Sequence, residues 1–446
     1  MIFLNVTIRS LPQRRLFKLV LISANLWSEM GIDPKAEYVL KVGMRTQRVK
    51  VNRLPDEITP TILLSRDLFS KFGLTGQNPV NVKLSADPPL IELGPVIGVF
   101  TGSNKQGRKD FARIYRNFFD VAQQEGAILY FFRTKDVNPR RLTIKGFKYQ
   151  QKWLQQRYPF PDVVYDQIRS RKTENSTQVI RIKTILQHYC SGYFNLGFMN
   201  KWQVYQVLVQ IPSVKVFLPP TNIYRGVETV LQMLAVHPVV YVKPANGSLG
   251  QGIIKIERVS AGFCWQWAAR RQPVRKIITS TADLDGLLQR IIKRKTYVVQ
   301  QGLNLLTVND RPADIRILMQ KDENGQWQET HRFAKVAIAR GIATNVAMGG
   351  MVIEVAHLLQ AAIDKYGINP TQVEINLRQL QRAVCAAMDE SKTGLGEMGL
   401  DVGIDQSGQV WLIEANAKYS RHVFPQSVKE LSIRRPISFA KWLTGW

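Results

Sequence analysis

The sequence predicts a mixed chain: a β-rich segment over residues 1–93, a small parallel α/β unit over 94–192, and an α+β region over 193–446. Three observations predict this. Short alternating runs separated by Gly, Pro and Asn turns fill the first segment. A buried strand, an amphipathic helix and a second buried strand follow one another from Leu93 onward. Two strand pairs, near residues 239–256 and 399–416, frame glycine-bearing turns in the third.

In the first segment the runs 38–42, 48–51 and 80–84 alternate as half-buried strands do, and residues 61–72 carry a short helix signal. No catalytic constellation occurs here, so a packing or binding role is expected. Its apolar stretch, residues 16–26, has Arg14 and Arg15 before it and Lys18 inside it, without a small-residue cleavage site. That argues against a signal peptide. No apolar run is long enough to span a bilayer. Cytoplasmic synthesis without a transmembrane segment is the expectation.

In the second segment, Leu93-Gly-Pro-Val-Ile-Gly-Val-Phe-Thr-Gly102 reads as a buried strand entering a loop. Phe111, Ile114, Tyr115, Phe118, Phe119 and Ala122 keep helical spacing. Residues 127–132 and Pro161-Asp-Val-Val-Tyr165 are the next strands. A parallel sheet with right-handed crossovers follows. Gly98, Gly102 and Gly107 do not have dinucleotide-fingerprint spacing, and no acid follows at a second strand.

Composition bounds the function. Over 446 residues, 45% are apolar and 21% charged, which is globular rather than disordered. Cys190, Cys264 and Cys385 are too scattered for a disulfide framework or a zinc site, and fit a reducing compartment. The net charge of +27 favours acidic partners such as polyphosphates, acidic peptides, nucleic acid or anionic membrane. No recognition helix, RNP signature or zinc finger is present, so specific nucleic-acid reading is not expected.

The chemistry concentrates in the third segment. Val239-Val-Tyr-Val-Lys-Pro-Ala-Asn-Gly-Ser-Leu-Gly-Gln-Gly-Ile-Ile-Lys-Ile256 is strand, glycine loop, strand. Gly247, Gly250 and Gly252, with Ser248 among them, can turn backbone amides toward an anion, and Lys243 adds a point charge. From these residues alone it is either a phosphate-holding loop or a plain glycine-rich hairpin.

Gly399-Leu-Asp-Val-Gly-Ile-Asp405 and Gln409-Val-Trp-Leu-Ile-Glu-Ala-Asn416 form a hairpin reflecting near Ser407. Asp401 then faces Glu414, and Asn416, two residues on, shares their face. Two carboxylates and a carboxamide make a hard-oxygen site suited to Mg²⁺; the other reading is an exposed sheet face with ordinary acids. Asp405 belongs to the turn.

Between these lies Thr296-Tyr-Val-Val-Gln-Gln-Gly-Leu303, a strand entering a linker. Gln300, Gln301 and Leu303 can offer backbone groups to adenine. Arg316, Arg332 and Arg340 lie on two following strands, and arginines beside acidic ligands suit a γ-phosphate and an acyl phosphate. Arg316 is otherwise a salt-bridge partner of Asp314.

This order of lysine, glycine loop, hinge, Asp-x-Arg strand, arginine strand, Thr344-Asn-Val-Ala-Met-Gly-Gly350 and Asp…Glu-x-Asn resembles the ATP-grasp superfamily. That superfamily includes D-alanine–D-alanine ligase, glutathione synthetase and the ribosomal-protein glutamate ligase. Tyr193-Phe-Asn-Leu-Gly-Phe-Met-Asn-Lys-Trp202 resembles the entry to its domain, with Lys201 matching the first ATP lysine and Lys243 the second. Leu93-Gly-Pro-Val-Ile-Gly98, Pro159-Phe-Pro-Asp-Val-Val-Tyr-Asp166, Lys201-Trp-Gln-Val-Tyr205 and Phe217-Leu-Pro-Pro-Thr221 are similar to the YheC/YheD branch, endospore coat-associated proteins of spore-forming Firmicutes.

The resemblance implies an ATP-grasp fold of two α+β lobes, about 193–300 and 301–446, preceded by a pre-ATP-grasp domain and the β-rich domain. It implies ATP and Mg²⁺ as cofactors, with Asp401, Glu414 and Asn416 on the metal and Lys201 and Lys243 on the phosphates. Arg316 and Arg340 would stabilise the acyl phosphate in ligation of an unidentified carboxylate to an amine. The alternative is a non-catalytic coat protein that keeps the scaffold and docks acidic coat material. Two departures stand out. Ala417-Lys-Tyr-Ser-Arg421 replaces the Pro-Gly turn that follows Glu-x-Asn in similar ligases, and the hinge offers Gln300 and Gln301 where an acid would meet the ribose.

Overall fold

Alternating apolar residues close the first strands into a barrel in the computed structural model of the chain. The structure describes residues 2–12, 17–54, 59–74, 78–102, 108–247, 250–267, 274–344, 346, 349–419, 421 and 423–446. The barrel order is Ile2–Ser10, Thr61–Leu64, Leu19–Ser23, Arg45–Leu54, Tyr38–Val42, Pro89–Gly94 and Asn78–Ala86. Val20, Ile22, Leu40, Ile62, Leu64, Val82 and Ile91 fill it and are fully buried. The helix signal over 61–72 is corrected. Thr61–Leu64 is a strand that pairs parallel with Ile2–Ser10 and antiparallel with Leu19–Ser23, and only Arg66–Lys71 is helical. Four residues that are all apolar or β-branched suit a barrel strand, and Ser65 separates them from the helix.

The next sheet follows from the buried runs. Val96–Phe100 lies parallel to Ile128–Phe132 on one side and to Val163–Asp166 on the other, and Gly192–Phe194 continues the parallel set. The helix Arg108–Gln124 makes the crossover, and Phe118 and Phe119 pack edge-on against Phe131. An antiparallel hairpin, Thr143–Gln150 with Lys152–Pro159, extends one edge. Its polar, Gln-rich alternation carries no buried-strand signal.

The described residues form two compact units. The first comprises residues 1–197, 320–328 and 424–446, so the final helix Gln426–Leu443 packs with the α/β sheet: Phe439 stacks edge-on against Phe194 and Arg434 pairs with Glu125.

The second unit, residues 198–319 and 329–423, holds two further sheets. One runs Thr221–Ile223, Tyr297–Gln301, Val239–Pro244, Ile254–Val259, Gly262–Trp267, Val274–Ile278. The helices Val227–Val236 and Thr281–Ile292 cover it through Val230, Leu234, Leu284 and Leu288. The other runs Met351–Ile353, Trp327–Val336, Arg311–Lys321, Glu397–Ile404, Val410–Asn416. The long helix Pro370–Glu390 buries Val373, Leu377, Leu380 and Val384 at helical spacing.

Candidate functional site

Each charged side chain of the site comes from a strand or helix whose other residues are apolar. In the hairpin, Asp401 is the cross-strand partner of Glu414, and Gly399 that of Asn416. Nearer the turn the register differs: Val402 pairs with Leu412 and Ile404 with Val410. A bulge between Asp401 and Val402 accommodates Ile413 and restores the facing of the two acids. Asp405 makes the turn, accepting from the Ser407 and Gln409 amides.

Asp401 is buried and saturated. Its Oδ1 accepts from Arg316 Nε at 2.8 Å and Lys335 Nζ at 2.6 Å. Its Oδ2 accepts from Arg316 Nη2 at 2.9 Å and Asn416 Nδ2 at 3.3 Å. Burial works to raise its carboxyl, but the Arg316 and Lys335 charges outweigh it and hold the group at about 2. Asp314, also ion-paired to Lys335, takes a hydrogen bond from the Thr344 hydroxyl. Burial dominates there and raises its carboxyl.

Glu414 accepts from Lys201 Nζ at 2.7 Å, and the same ammonium donates to the Gly247 carbonyl at 2.8 Å. Lys201 thereby ties the glycine segment to the hairpin. It opens the helix Lys201–Leu208, whose N-terminus is capped by the Asn200 side chain. Gly250 and Gly252 have φ of 73° and 74°, the left-handed region that favours glycine. Ser248 lies outside the described residues, as do Asn345, Ala347 and Met348 of the 344–350 motif.

Lys243 donates to Gln300 Oε1 at 2.6 Å, and Gln300 Nε2 donates to Thr221 Oγ1 at 3.0 Å. Burial pushes the Lys243 ammonium down to about 8. The Gln300 side chain is therefore a brace. The Gln301 and Gly302 amides donate to the Pro220 and Val239 carbonyls, which leaves less hinge backbone for a base than the sequence alone indicated.

A cleft of about 160 Å³ is lined by Lys201, Lys243, Gln300, Gln301, Leu303, Asp314, Lys335, Asp401 and Glu414. Of the strand arginines, only Arg316 reaches the hairpin. It takes Asp401 as partner, whereas Asp314 takes Lys335. Arg332 is held by Glu374 and Glu329. Arg340, expected on the same strand as Arg332, falls past its end at Val336, where it is exposed at φ 56° and does not line the cleft. Sequence reading missed Lys335, Thr221 and Thr344. Lys335 had a signal: it interrupts the apolar run Phe333-Ala-Lys-Val336, as Glu414 interrupts its own.

Three lining lysines, Lys201, Lys243 and Lys335, meet three lining acids, Asp314, Asp401 and Glu414, and Arg316, paired with Asp401, adds one further positive charge beside them. That suits a polyphosphate. Among the described residues, no cluster of three or more His, Cys, Asp or Glu side chains is arranged for a metal ion. A divalent ion still fits beside phosphate oxygens. Glu414 Oε2 and Asn416 Oδ1 are uncommitted among the described residues and stem from one strand face, two positions apart. Asp401 would join them only by exchanging its cationic partners.

The YheC/D-like ATP-grasp family model matches residues 191–443. The chain belongs to this family. Two curated members are similar over much of the YheC/D-like chain. Endospore coat-associated protein YheD of Bacillus subtilis (strain 168) is 29% identical over 399 residues, covering 86% of each chain. Endospore coat-associated protein YheC of the same strain is 22% identical over 308 residues, covering 67% of this chain and 84% of that one. Among solved structures, D-cycloserine synthetase DcsG is 10% identical with a TM-score of 0.47, over 78% of this chain and 99% of its own. D-alanyl-alanine synthetase A from Vibrio cholerae O1 biovar eltor str. N16961 is 12% identical with a TM-score of 0.47, over 79% and 98%. In the YheC/D-like chain no helix among the described residues is long and apolar enough to cross a membrane.

Proposed function

We propose that this YheC/D-like ATP-grasp chain binds Mg-ATP in the Lys243–Glu414 cleft and uses it to join a carboxylate to an amine. One observation supports this above the rest: three lysines and a carboxylate hairpin line one cleft, Arg316 is paired with its Asp401, and Lys201 ties the hairpin to the glycine segment. Lys201 and Lys243 hold α- and β-phosphate oxygens, with Gln300 fixing the direction of Lys243. Gly247, Gly250 and Gly252 let backbone amides approach the phosphates, Ser248 lies in the same segment, and Gln301 and Leu303 border the base.

Glu414 and Asn416 would hold Mg²⁺, with Asp401 a third oxygen donor on exchange. When bound, the ion neutralises charge between the β- and γ-phosphoryl groups. Arg316 and Lys335 are two buried cations that share Asp401 and can turn to γ-phosphate oxygens. The substrate carboxylate oxygen attacks γ-phosphorus as the bond to ADP breaks, giving an acyl phosphate. The amine nitrogen then attacks the acyl carbon, and phosphate leaves. No covalent nucleophile from the protein is needed. Of the two arginines expected to aid this step, Arg316 is the one retained, because it pairs with the cleft's Asp401 whereas Arg340 is exposed.

The names of the curated relatives support association with the endospore coat, where the +27 charge suits acidic coat components. A second reading, a coat scaffold without turnover, draws on the four filled acceptor positions of Asp401. Phosphate release with Mg-ATP, pooled amino acids and acidic peptides tests the two. Amine-dependent release supports ligation; tight ATP binding with no release under any acceptor supports the scaffold.

A further inference from the structure

The first sheet of the second unit ends on an open edge. Its last strand, Val274–Ile278, pairs with Gly262–Trp267 on one side and with no strand on the other among the described residues. Val274, Arg275, Lys276 and Ile277 are all exposed, the β-branched pair at 54% and 43%. Side chains alternate across a strand, so Val274 and Lys276 share one face and Arg275 and Ile277 the other. Each face of the edge therefore offers one apolar group and one cation.

The charge around this edge is one-sided. From Ile254 to Lys295 the chain carries ten Lys and Arg against the acids Glu257, Asp283 and Asp285. Those acids are engaged elsewhere: Glu257 lies 3.5 Å from Lys255, Asp283 accepts from the Ser280 hydroxyl, and Asp285 accepts from Gln289. Arg275 donates to the Cys264 sulfur at 3.1 Å, a neutral partner, and Lys276 has no hydrogen bond or ion pair among the described residues. The second unit's residues outside the described set, 248, 249, 268–273, 345, 347, 348, 420 and 422, contain no carboxylate.

An unpaired row of backbone N–H and C=O groups is a template for another strand, and charges along it reject unsuitable ones. A second copy of this chain would set Arg275 and Lys276 against themselves, and like charges facing each other destabilise a strand pair. A strand bearing carboxylates reverses that sign, and β-branched neighbours pack on Val274 and Ile277. We propose that the outer edge of Val274–Ile278 takes up an extended acidic peptide segment of a partner protein as an added β-strand. Main-chain hydrogen bonds supply the pairing, and Arg275 and Lys276 select for acids. No residue of this edge lines the nucleotide cleft, so the site stands without the ligase reading.

Fluorescence anisotropy of the full chain with labelled, capped eight-residue peptides tests it. The probes alternate Val and Glu, Pro and Glu, or Val and Lys. The Val and Glu peptide should bind, and the Val and Lys peptide should not. The Pro and Glu peptide keeps the charge but lacks half of the amide donors, and should bind about tenfold more weakly or worse. The double variant Arg275→Glu with Lys276→Glu should abolish binding. Lys293→Glu with Arg294→Glu makes the same change in net charge at exposed positions beyond the helix Thr281–Ile292, and should retain most of the affinity. Absent binding of the Val and Glu peptide, equal binding of the Pro and Glu peptide, or equal loss in the two double variants would overturn the proposal. The comparison of peptides on the unaltered chain decides the matter if the Arg275 and Lys276 variant fails to fold.

Discussion

Arg316 grips Asp401 through two parallel hydrogen bonds, 2.8 Å from Nε and 2.9 Å from Nη2, from the neighbouring strand of the same sheet. Lys335 shares the carboxylate and bridges it to Asp314. The acid end of the cleft is thus a buried network of two cations and two anions.

Breaking that network from the acid side should be costly. Asp401→Asn leaves Arg316 and Lys335 facing each other with one anion fewer, and removing one partner of a buried pair costs about 3–5 kcal/mol. Urea denaturation should register a loss of that order. The double variant Asp401→Asn with Arg316→Met should lose less than the two single losses combined, because the unpaired charge is removed with its partner.

Gly399 should be intolerant of a side chain. A Cβ there would meet Arg316 Nη1 at 3.0 Å, and that guanidinium is fixed by its two bonds. Gly399→Val should displace Arg316 from Asp401, lower turnover at least tenfold and depress the melting temperature, because it disturbs the same buried pair. Unaltered turnover would show that Arg316 has no part in the chemistry.

Lys243 predicts a pH dependence whose two signs can be told apart. Its folded value is about 8 against the ordinary lysine value of 10.5, so the unfolded chain binds more protons between them. Its contribution to stability therefore rises with pH across that window. ATP affinity should move the other way: level below about pH 8, then falling by up to tenfold per unit as the ammonium is lost. Lys243→Met should flatten that fall. Gln300→Leu, which removes the brace, should weaken ATP several-fold while leaving the fall in place.

The legibility of this chain followed the local patterning. Alternation in 38–42 and the buried runs at 96–100 and 128–132 specify their strands without help from elsewhere. The Asp401–Glu414 pairing was reachable by reflection about the turn, although the ladder attains it through a bulge that a symmetric hairpin does not contain. Thr61–Leu64 was misread because its role depends on barrel closure by two distant strands. The partner of Arg316 was hidden for the same reason: Asp314 is two residues away in sequence, but the tertiary arrangement offers Asp401, 85 residues on. Lys335 showed itself only as a charge in an apolar run.

The most direct measurement is a crystal structure of the full chain with Mg²⁺ and a non-hydrolysable ATP analogue. The predicted result has phosphate oxygens within hydrogen-bond distance of Lys201 and Lys243, and a metal ion on Glu414 and Asn416 under the glycine segment. A nucleotide bound elsewhere, or an empty cleft at saturating analogue with Lys201 still on Glu414, would contradict the account.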